Sequence, residues 1–269
     1  MVVDFHVHCF PDALAPRALA VLSDHAQLKE LGLPCTDGTQ AGTEAHIASQ
    51  GVDYAVVCNI ATNGRQQHNV NSFAISIAKT SKTLCSLGSL HPGGEDKYGE
   101  LLRLREAGIR GIKIHPDYIG ADITDPAYDE IFELCSELGF FVLTHAGLDP
   151  VSPGHMHASP EMIATVAKRY PDLKIIAAHM GGFLCSAEVI EHLLGRDIWF
   201  DTSVSSQRPD EYENLVYILK NHSPDRLLFA SDTPWAYAAD ELRFIYSAGL
   251  GDELTEKILC KNALGLLKD

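Results

Sequence analysis

The sequence has no long hydrophobic run and little positive charge. No apolar run approaches the roughly 18 residues that a membrane-spanning helix needs. Lys and Arg together number 21, against 36 Asp and Glu, and the formal net charge is −15. Because nucleic acids and anionic membrane surfaces attract basic proteins, we expect neither of them as a partner.

The cysteines lack any pairing pattern. There are seven, an odd number, and no CxxC pair occurs among them. This usage is typical of reduced, mostly buried thiols and not of a disulfide framework. Met1 leads directly into an apolar run, which leaves no room for a signal peptide. We therefore expect a cytoplasmic globular protein that acts on a small molecule.

Eight short apolar runs alternate with longer amphipathic stretches along the chain. Several of these stretches begin with a capping residue followed by proline, as at Asp125 and Ser159, which is typical of helix starts. Continuous apolar strands separated by helices predict a parallel sheet covered by helices. The predicted strands are Val2–His8, Val52–Asn59, Leu84–His91, Gly111–His115, Phe140–His145, Leu173–His179, Ile198–Thr202 and Leu227–Asp232.

Eight strand–helix units are the number that closes into a (β/α)₈ barrel (a TIM barrel), and the length of 269 residues fits one such domain over 1–269. The segment Cys9–Gly42, between the first strand and its helix, is long for a connection. Such a loop is usually a lid or a wall of an active site. Residues Asp252–Leu267 predict a C-terminal helical tail.

The first strand, within VVDFHVHCF, carries polar residues at alternating positions. Successive strand side chains point to opposite faces, so Asp4, His6 and His8 are expected to share one face. The two imidazoles would then lie about 6–7 Å apart along the strand, close enough to bind one ion. Asp4, one step deeper, is expected to support the ligands or to be a polar group of the barrel core.

Further metal-ligating residue types recur at the carboxyl ends of other predicted strands. This is the end of a barrel at which active sites are built. Imidazole and carboxylate are ligands that zinc, manganese and iron accept. Together these residues predict a metal site at one rim of the barrel: His6, His8, Lys113, His145, His179 and Asp232.

These motifs resemble the amidohydrolase superfamily of metal-dependent barrel enzymes. More narrowly, they are similar to its amidohydrolase-related branch, which includes aminocarboxymuconate-semialdehyde decarboxylase as well as lactone and amide hydrolases. The resemblance implies that one divalent metal is bound by four ligands: His6, His8, His145 and Asp232. It implies that His179 is either a ligand of a second metal or an acid/base residue, and that Asp232 also moves a proton.

Lys113, in the stretch KIHP, has two interpretations. The stretch is similar to the fourth-strand segment of urease and dihydroorotase, where a carboxylated lysine bridges two metals. Lys113 could instead be a charged partner of Asp4 or of a substrate carboxylate. The expected cofactor is therefore one or two divalent ions, zinc before manganese or iron. The resemblance also makes a homodimer plausible.

Three functions follow from this site. The first is hydrolysis of an amide, lactone or other ester of a small molecule by metal-activated water. The second is decarboxylation of a small carboxylic acid by the same metal, with His179 as the acid. The third, a barrel that binds metal without catalysis, is disfavoured by the intact ligand set. The fold does not separate these functions, because function depends on the site.

Substrate contacts are expected from residues near the same rim. His115 follows Lys113 by one inward strand step, and we expect it to contact substrate. Arg65 and Arg208 leave strands on this side, and an arginine there could hold a substrate carboxylate. Solvated loop charges are the alternative for both. His157 is a further candidate, with support of its own loop as the alternative.

Replacing His8 with alanine is expected to abolish activity, because the variant loses a metal ligand while the barrel stays folded. For the His8→Ala variant, elemental analysis would measure the bound metal, a turnover assay the activity, and circular dichroism the folded structure. Full turnover with full metal content in this variant would contradict the site assignment.

Overall fold

The computed structural model of the protein describes residues 1–25 and 33–268. Eight parallel strands alternate with helices along this part of the chain. The strands are β1 Val3–Val7, β2 Tyr54–Cys58, β3 Leu84–Leu87, β4 Gly111–Ile114, β5 Phe141–Thr144, β6 Ile175–Ala177, β7 Trp199–Asp201 and β8 Leu227–Leu228. The α-helices are α1 Ala15–His25, α2 Gln40–Ser49, α3 Gln67–Thr80, α4 Lys97–Glu106, α5 Pro116–Ile119, α6 Asp129–Leu138, α7 Pro160–Arg169, α8 Ser186–His192, α9 Tyr212–Asn221, α10 Ala238–Ser247, α11 Asp252–Glu256 and α12 Asn262–Lys268.

Backbone hydrogen bonds join the strands into a ring. Strands β1 to β3 pair in order, as do β4 to β8. The amide of Lys113 donates to the carbonyl of Gly88 at 2.8 Å, which joins β4 to the end of β3. The amide of Phe5 donates to Phe229 and that of Asp232 donates to His6, both at 2.8 Å, which joins β1 to the segment after β8. The predicted (β/α)₈ barrel is confirmed.

A bulge in β1 changes the predicted orientation of its side chains. Asp4 pairs with Ala55 but Val7 pairs with Val57, so β1 contains one more residue than β2 between these pairs. A bulge of this kind reverses the alternation of faces. Phe5 packs inside the barrel, and the next residue, His6, also points inward. The expectation that Asp4 shares a face with the two histidines is therefore wrong, whereas His6 and His8 both line the central cavity, as expected.

The strands are shorter than predicted, and β8 differs most. It was expected to extend to Asp232 but ends at Leu228. Beyond this point the amide of Phe229 donates to the carbonyl of Ile258, at 2.9 Å, and not to a carbonyl of a neighbouring strand. The predicted site residues of the later strands consequently lie in the loops that follow the strands.

The segment after β1 contains a helix and forms a wall of the central cavity. Helix α1 lies within the stretch that the sequence predicted as a loop, and Leu14 and Arg17 from this region line the cavity. Residues 26–32 of the predicted loop lie outside the described residues. The described part of the segment fits the predicted role of an active-site wall.

The C-terminal tail closes the amino end of the barrel. Between α11 and α12 the chain forms a π-helical turn, Lys257–Lys261. Residues of the turn and of α12 join the apolar cluster inside the ring. The cluster comprises Val3, Phe5, Val56, Cys58, Leu87, Phe141, Leu143, Ile176, Ala178, Leu228, Ala230, Cys260, Ala263 and Leu266. The predicted helical tail thus completes the barrel core.

All seven cysteines are free thiols, and five of them are buried, as the sequence led us to expect. Within the described residues, no helix combines the length and the apolarity needed to cross a bilayer.

Replacing Asn262 with leucine should destabilise the protein by about 1–3 kcal/mol, because a buried carbonyl, that of Leu227, and a partly buried one, that of Pro224, lose their hydrogen-bond donor. The Asn262 amide donates to Pro224 and Leu227 at 2.9 and 2.8 Å. The matched control is Asn221→Leu, since this exposed asparagine also donates to a backbone carbonyl, that of Tyr217. Urea unfolding would measure the free energy of unfolding of both variants. An equal decrease in the two would contradict a stabilising role of the Asn262 hydrogen bonds.

Candidate metal centre

Three side chains that the sequence singled out converge at the carboxyl end of the barrel. His6 Nε2 lies 3.5 Å and His8 Nε2 lies 3.0 Å from Asp232 Oδ1. One ligand atom of each residue lies within 4.8 Å of the other two. Strand β1 and the loop after β8 bring them together, because these two segments are hydrogen-bonded neighbours in the ring.

The hydrogen bond of His8 determines which of its ring nitrogens carries a proton. Nδ1 lies 2.9 Å from the carbonyl oxygen of Cys58, which can only accept, so Nδ1 is the donor. In a neutral ring Nε2 then presents a lone pair to the Asp232 carboxylate. Two electron-rich atoms 3.0 Å apart repel each other unless a positive charge lies between them. A divalent ion of the zinc or manganese type fits this donor set.

His6 is held by a buried carboxylate. Its Nδ1 lies 2.9 Å from Oδ2 of Asp201, the last residue of β7, and both side chains are almost fully buried. Burial favours the neutral acid, but the charge and hydrogen bond of His6, together with His179 and Ser203, hold the Asp201 pKa below its usual value. An ionised Asp201 fixes the His6 proton on Nδ1, so Nε2 carries the lone pair that a metal would bind.

His145 and His179 form a second pair beside this set. His145 Nδ1 lies 3.1 Å from His179 Nε2. The other nitrogen of each ring is engaged, since His145 Nε2 lies 3.2 Å from the carbonyl of Leu148 and His179 Nδ1 lies 2.8 Å from Ser203 Oγ. Ser203 in turn donates to Asp201 at 2.5 Å. His179 is thus oriented by a hydroxyl that the carboxylate holds in place.

The backbone is strained where two of these residues leave their strands. His179 has φ 58° and Asp232 has φ 72°, in the left-handed region that side-chain-bearing residues rarely adopt. Such conformations persist where the surrounding contacts enforce them, and they are concentrated at functional sites. Here they turn both side chains back over the mouth of the barrel.

Lys113 lies inside the ring, against the metal-facing side of His6. Its Nζ is 3.3 Å from His6 Nε2, and 1% of the residue is exposed. Burial lowers the pKa of its ammonium group, so the neutral amine is favoured more than in water. A neutral lysine can share this space with a cation.

Asp4 has a different neighbour from the one the sequence suggested. Its carboxyl group accepts from the amide and hydroxyl of Ser231, at 2.9 and 2.5 Å, and so ties β1 to the loop after β8. Burial raises the pKa of Asp4 to about 7, against the lowering effect of the Ser231 hydrogen bonds. Among the described ion pairs none joins Asp4 to Lys113.

His115 lies on the cavity wall next to the two histidines. Its ring stacks on those of Tyr118 and His145, with centroids 4.0 and 4.4 Å apart. His115 Nε2 lies 3.5 Å from the carboxylate of Asp149, whose pKa burial raises to about 6. His115 therefore lies on the surface that a bound molecule would meet, and its contact with substrate stays a prediction.

A cavity of about 730 Å³ opens above these residues. All six residues of the predicted metal site line it, and so does His115. Much of the remaining wall is apolar: Leu14, Val21, Val70, Phe73, Phe183, Val204 and Trp235. Three predicted substrate contacts are not among the described residues that line the cavity: Arg65, His157 and Arg208.

Arg208 is buried behind the wall instead of facing substrate. Its guanidinium donates to the carbonyls of His179 and Gly182 at 2.9 and 2.8 Å, and to Glu211 at 2.6 Å. These acceptors occupy the donors that a substrate carboxylate would need. The two carbonyls belong to the strained turn after β6, so Arg208 stabilises that turn. The Arg65 side chain is exposed, and the His157 ring lies against Asp122.

Sequence reasoning missed Asp201, Ser203 and Asp149. Asp201 ends a buried strand, which is the same signal that identified the histidines, and it could have been found in this way. Ser203 and Asp149 lie in loops without periodicity, and no pattern in the sequence distinguishes them.

Comparisons with solved structures show the same fold over the whole chain. An uncharacterised TIM-barrel protein from Bordetella bronchiseptica is 16% identical, with a TM-score of 0.78 and coverage of 99% of this chain and 98% of that one. The manganese complex of 5-carboxyvanillate decarboxylase from Novosphingobium aromaticivorans is 16% identical, with a TM-score of 0.71 and coverage of 100% and 96%. A 2,6-dihydroxybenzoate decarboxylase, also 16% identical, has a TM-score of 0.71 and coverage of 100% and 99%.

No curated protein matches the sequence. The family model described as amidohydrolase matches residues 3–268, nearly the entire chain. The resemblance drawn from the HxH motif and the later strand ends is thereby confirmed, and the chain belongs to the amidohydrolase family.

Proposed function

We propose that the protein is a metal-dependent decarboxylase, a lyase that releases CO₂ from a small carboxylic acid. The observation that carries this proposal is the His179 ring, fixed through Nδ1 by Ser203 with its Nε2 at the cavity wall. A histidine held in this way beside a one-ion donor set is suited to deliver a proton to carbon. Two of the similar structures are described as decarboxylases, and one of them contains manganese.

The proposed ligands are those of the predicted set: His6, His8, His145 and Asp232. When bound, a divalent ion would supply positive charge to the oxygens of the substrate. Asp201 keeps the His6 ring in its ligating tautomer, and the Cys58 carbonyl does the same for His8. In this proposal the proton that replaces the carboxyl group comes from a protein group.

His179 is the proposed proton donor. Its Nε2 is 3.1 Å from His145 Nδ1, and both rings line the cavity. After the carboxyl group has left, this nitrogen protonates the carbon that carried it. The hydrogen bond from Nδ1 to Ser203 stabilises the ring in one orientation, and Asp201 holds the Ser203 hydroxyl in place. Burial and the neighbouring His145 lower the pKa of His179, so a proton on Nε2 is readily given up.

The form of the cavity supports a substrate with an apolar body. At about 730 Å³ the cavity is larger than the metal centre needs, and its outer wall is formed by α1, α3 and the loop after β5. Cavities of this kind bind the apolar part of a ligand and orient it by a few polar groups. His115 and Asp149 are the proposed polar contacts near the metal.

Hydrolysis, the first function that the sequence suggested, has less support. The same metal and carboxylate could activate water, so the donor set alone does not distinguish hydrolysis from decarboxylation. The positioned acid and the decarboxylases among the similar structures both favour the lyase.

The manganese-loaded and zinc-loaded enzymes are expected to release CO₂ from at least one member of a panel of small aromatic carboxylic acids. Headspace or coupled detection of CO₂ would measure this, with the Asp232→Asn variant as the inactive control. Turnover of lactones, esters or amides by enzyme that releases CO₂ from none of the acids would contradict the proposal and favour the hydrolase.

The His179→Asn variant should keep one metal ion per chain and lose about 10²–10⁴-fold in kcat, the usual contribution of general acid catalysis. Elemental analysis and steady-state kinetics would test both expectations. The matched control is His91→Asn, since His91 also follows a strand but accepts from its own loop at Gly93. Two ions per wild-type chain in bicarbonate buffer, with one lost in His179→Asn, would favour the alternative in which carboxylated Lys113 bridges two metals.

A further inference from the structure

A second group of metal-ligating side chains lies on two neighbouring loops outside the candidate centre. Asp122 belongs to the loop between α5 and α6, and His155 and His157 belong to the loop that follows β5. The two loops are already in contact, because the amide of Ile123 donates to the carbonyl of His157 at 2.8 Å. The backbone thus holds the three side chains near one another.

The two imidazoles face the same carboxylate oxygen. His155 Nε2 lies 2.6 Å and His157 Nδ1 lies 2.8 Å from Oδ1 of Asp122. The rings meet edge to face with centroids 4.5 Å apart, and one ligand atom of each residue lies within 4.8 Å of the others. The exposed fractions of the side chains are 53% for His155, 36% for Asp122 and 17% for His157. The group is therefore open to ions from solvent.

We propose that Asp122, His155 and His157 form a separate, peripheral binding site for a divalent transition-metal ion of the zinc type. Ligand atoms around tetrahedral zinc are about 3.3 Å apart at bond lengths of about 2.0 Å, so small side-chain rotations suffice. Two imidazoles select zinc, cobalt or nickel over calcium and magnesium, which prefer oxygen ligands. The exposed side of the group leaves room for water as a further ligand.

Ion binding would cross-link the loops after β4 and β5. The loop after β5 also carries Asp149 and Val151, which line the cavity. Its Ser152 donates to Asp117, which lies in α5 after β4, so an existing side-chain contact already connects the two segments. An ion at the peripheral site adds a second cross-link and restricts the motion of this cavity wall. The site shares no residue with the candidate metal centre, and the proposal does not rest on the proposed function.

The decisive variant is His155→Gln. Glutamine can still donate a hydrogen bond to Asp122 but is a poor zinc ligand, so it separates a structural hydrogen bond from ion binding. The matched control is His68→Gln, since the exposed His68 likewise lies 2.8 Å from a carboxylate oxygen, that of Glu100, without a second histidine on it.

Equilibrium dialysis of untagged protein against zinc should find one more ion per chain in wild type and in His68→Gln than in His155→Gln. We expect the affinity for this additional ion to fall at least tenfold in His155→Gln. Equal stoichiometry and affinity in all three proteins would overturn the proposal and leave the cluster as a hydrogen-bonded loop contact.

Hydrogen exchange provides a second, independent measurement. Added zinc should slow exchange of the amides in residues 148–159 at least tenfold in wild type and leave His155→Gln unchanged. Without added zinc, the melting temperatures of the two proteins should agree. Slowing of the same extent in both proteins would contradict a role for His155 as a ligand and would overturn the cross-link.

Discussion

The hydrogen bond between the Asp201 carboxylate and His6 is the interaction on which the rest of the site depends. The same carboxylate accepts from the amide of His179 at 3.0 Å and from the amide and hydroxyl of Ser203 at 3.1 and 2.5 Å. It therefore fixes the tautomer of a proposed ligand and the orientation of the proposed acid at once. A buried carboxylate without these donors would be costly, so the proposed metal binding and the proposed proton transfer both rest on one set of hydrogen bonds.

The position of the site in the fold could be predicted from the sequence, because strand ends are visible as polar residues that close apolar runs. His145 and His179 follow this rule, and Asp201 follows it as well. The faces of β1 could not be predicted in this way. Alternation assumes one residue of β1 for each residue of β2, whereas β1 has a bulge between Asp4 and Val7 that no pattern in the sequence indicates.

The structure brings all the predicted ligands to the cavity but only one of the four predicted substrate contacts, because loops lack a period that fixes side-chain direction. Arg208 carries the charge that a carboxylate would need, yet backbone carbonyls of the strained turn after β6 take its donors. Conversely, Asp149 and the apolar residues of α1 reach the cavity from segments whose sequence predicts only a loop. Such placements depend on how distant segments pack.

The closure of the ring between its first and last strands has a consequence for biosynthesis. Strand β1 leaves the ribosome well before its partner after β8 and before the helical tail that packs into the barrel core. Asp232, which faces His6 and His8, comes from this late segment. A nascent chain therefore holds both histidines for most of translation without the carboxylate opposite them. The three side chains of His6, His8 and Asp232 can therefore face one another only after the segment that follows β8 has been made, and the proposed metal site cannot form earlier in translation.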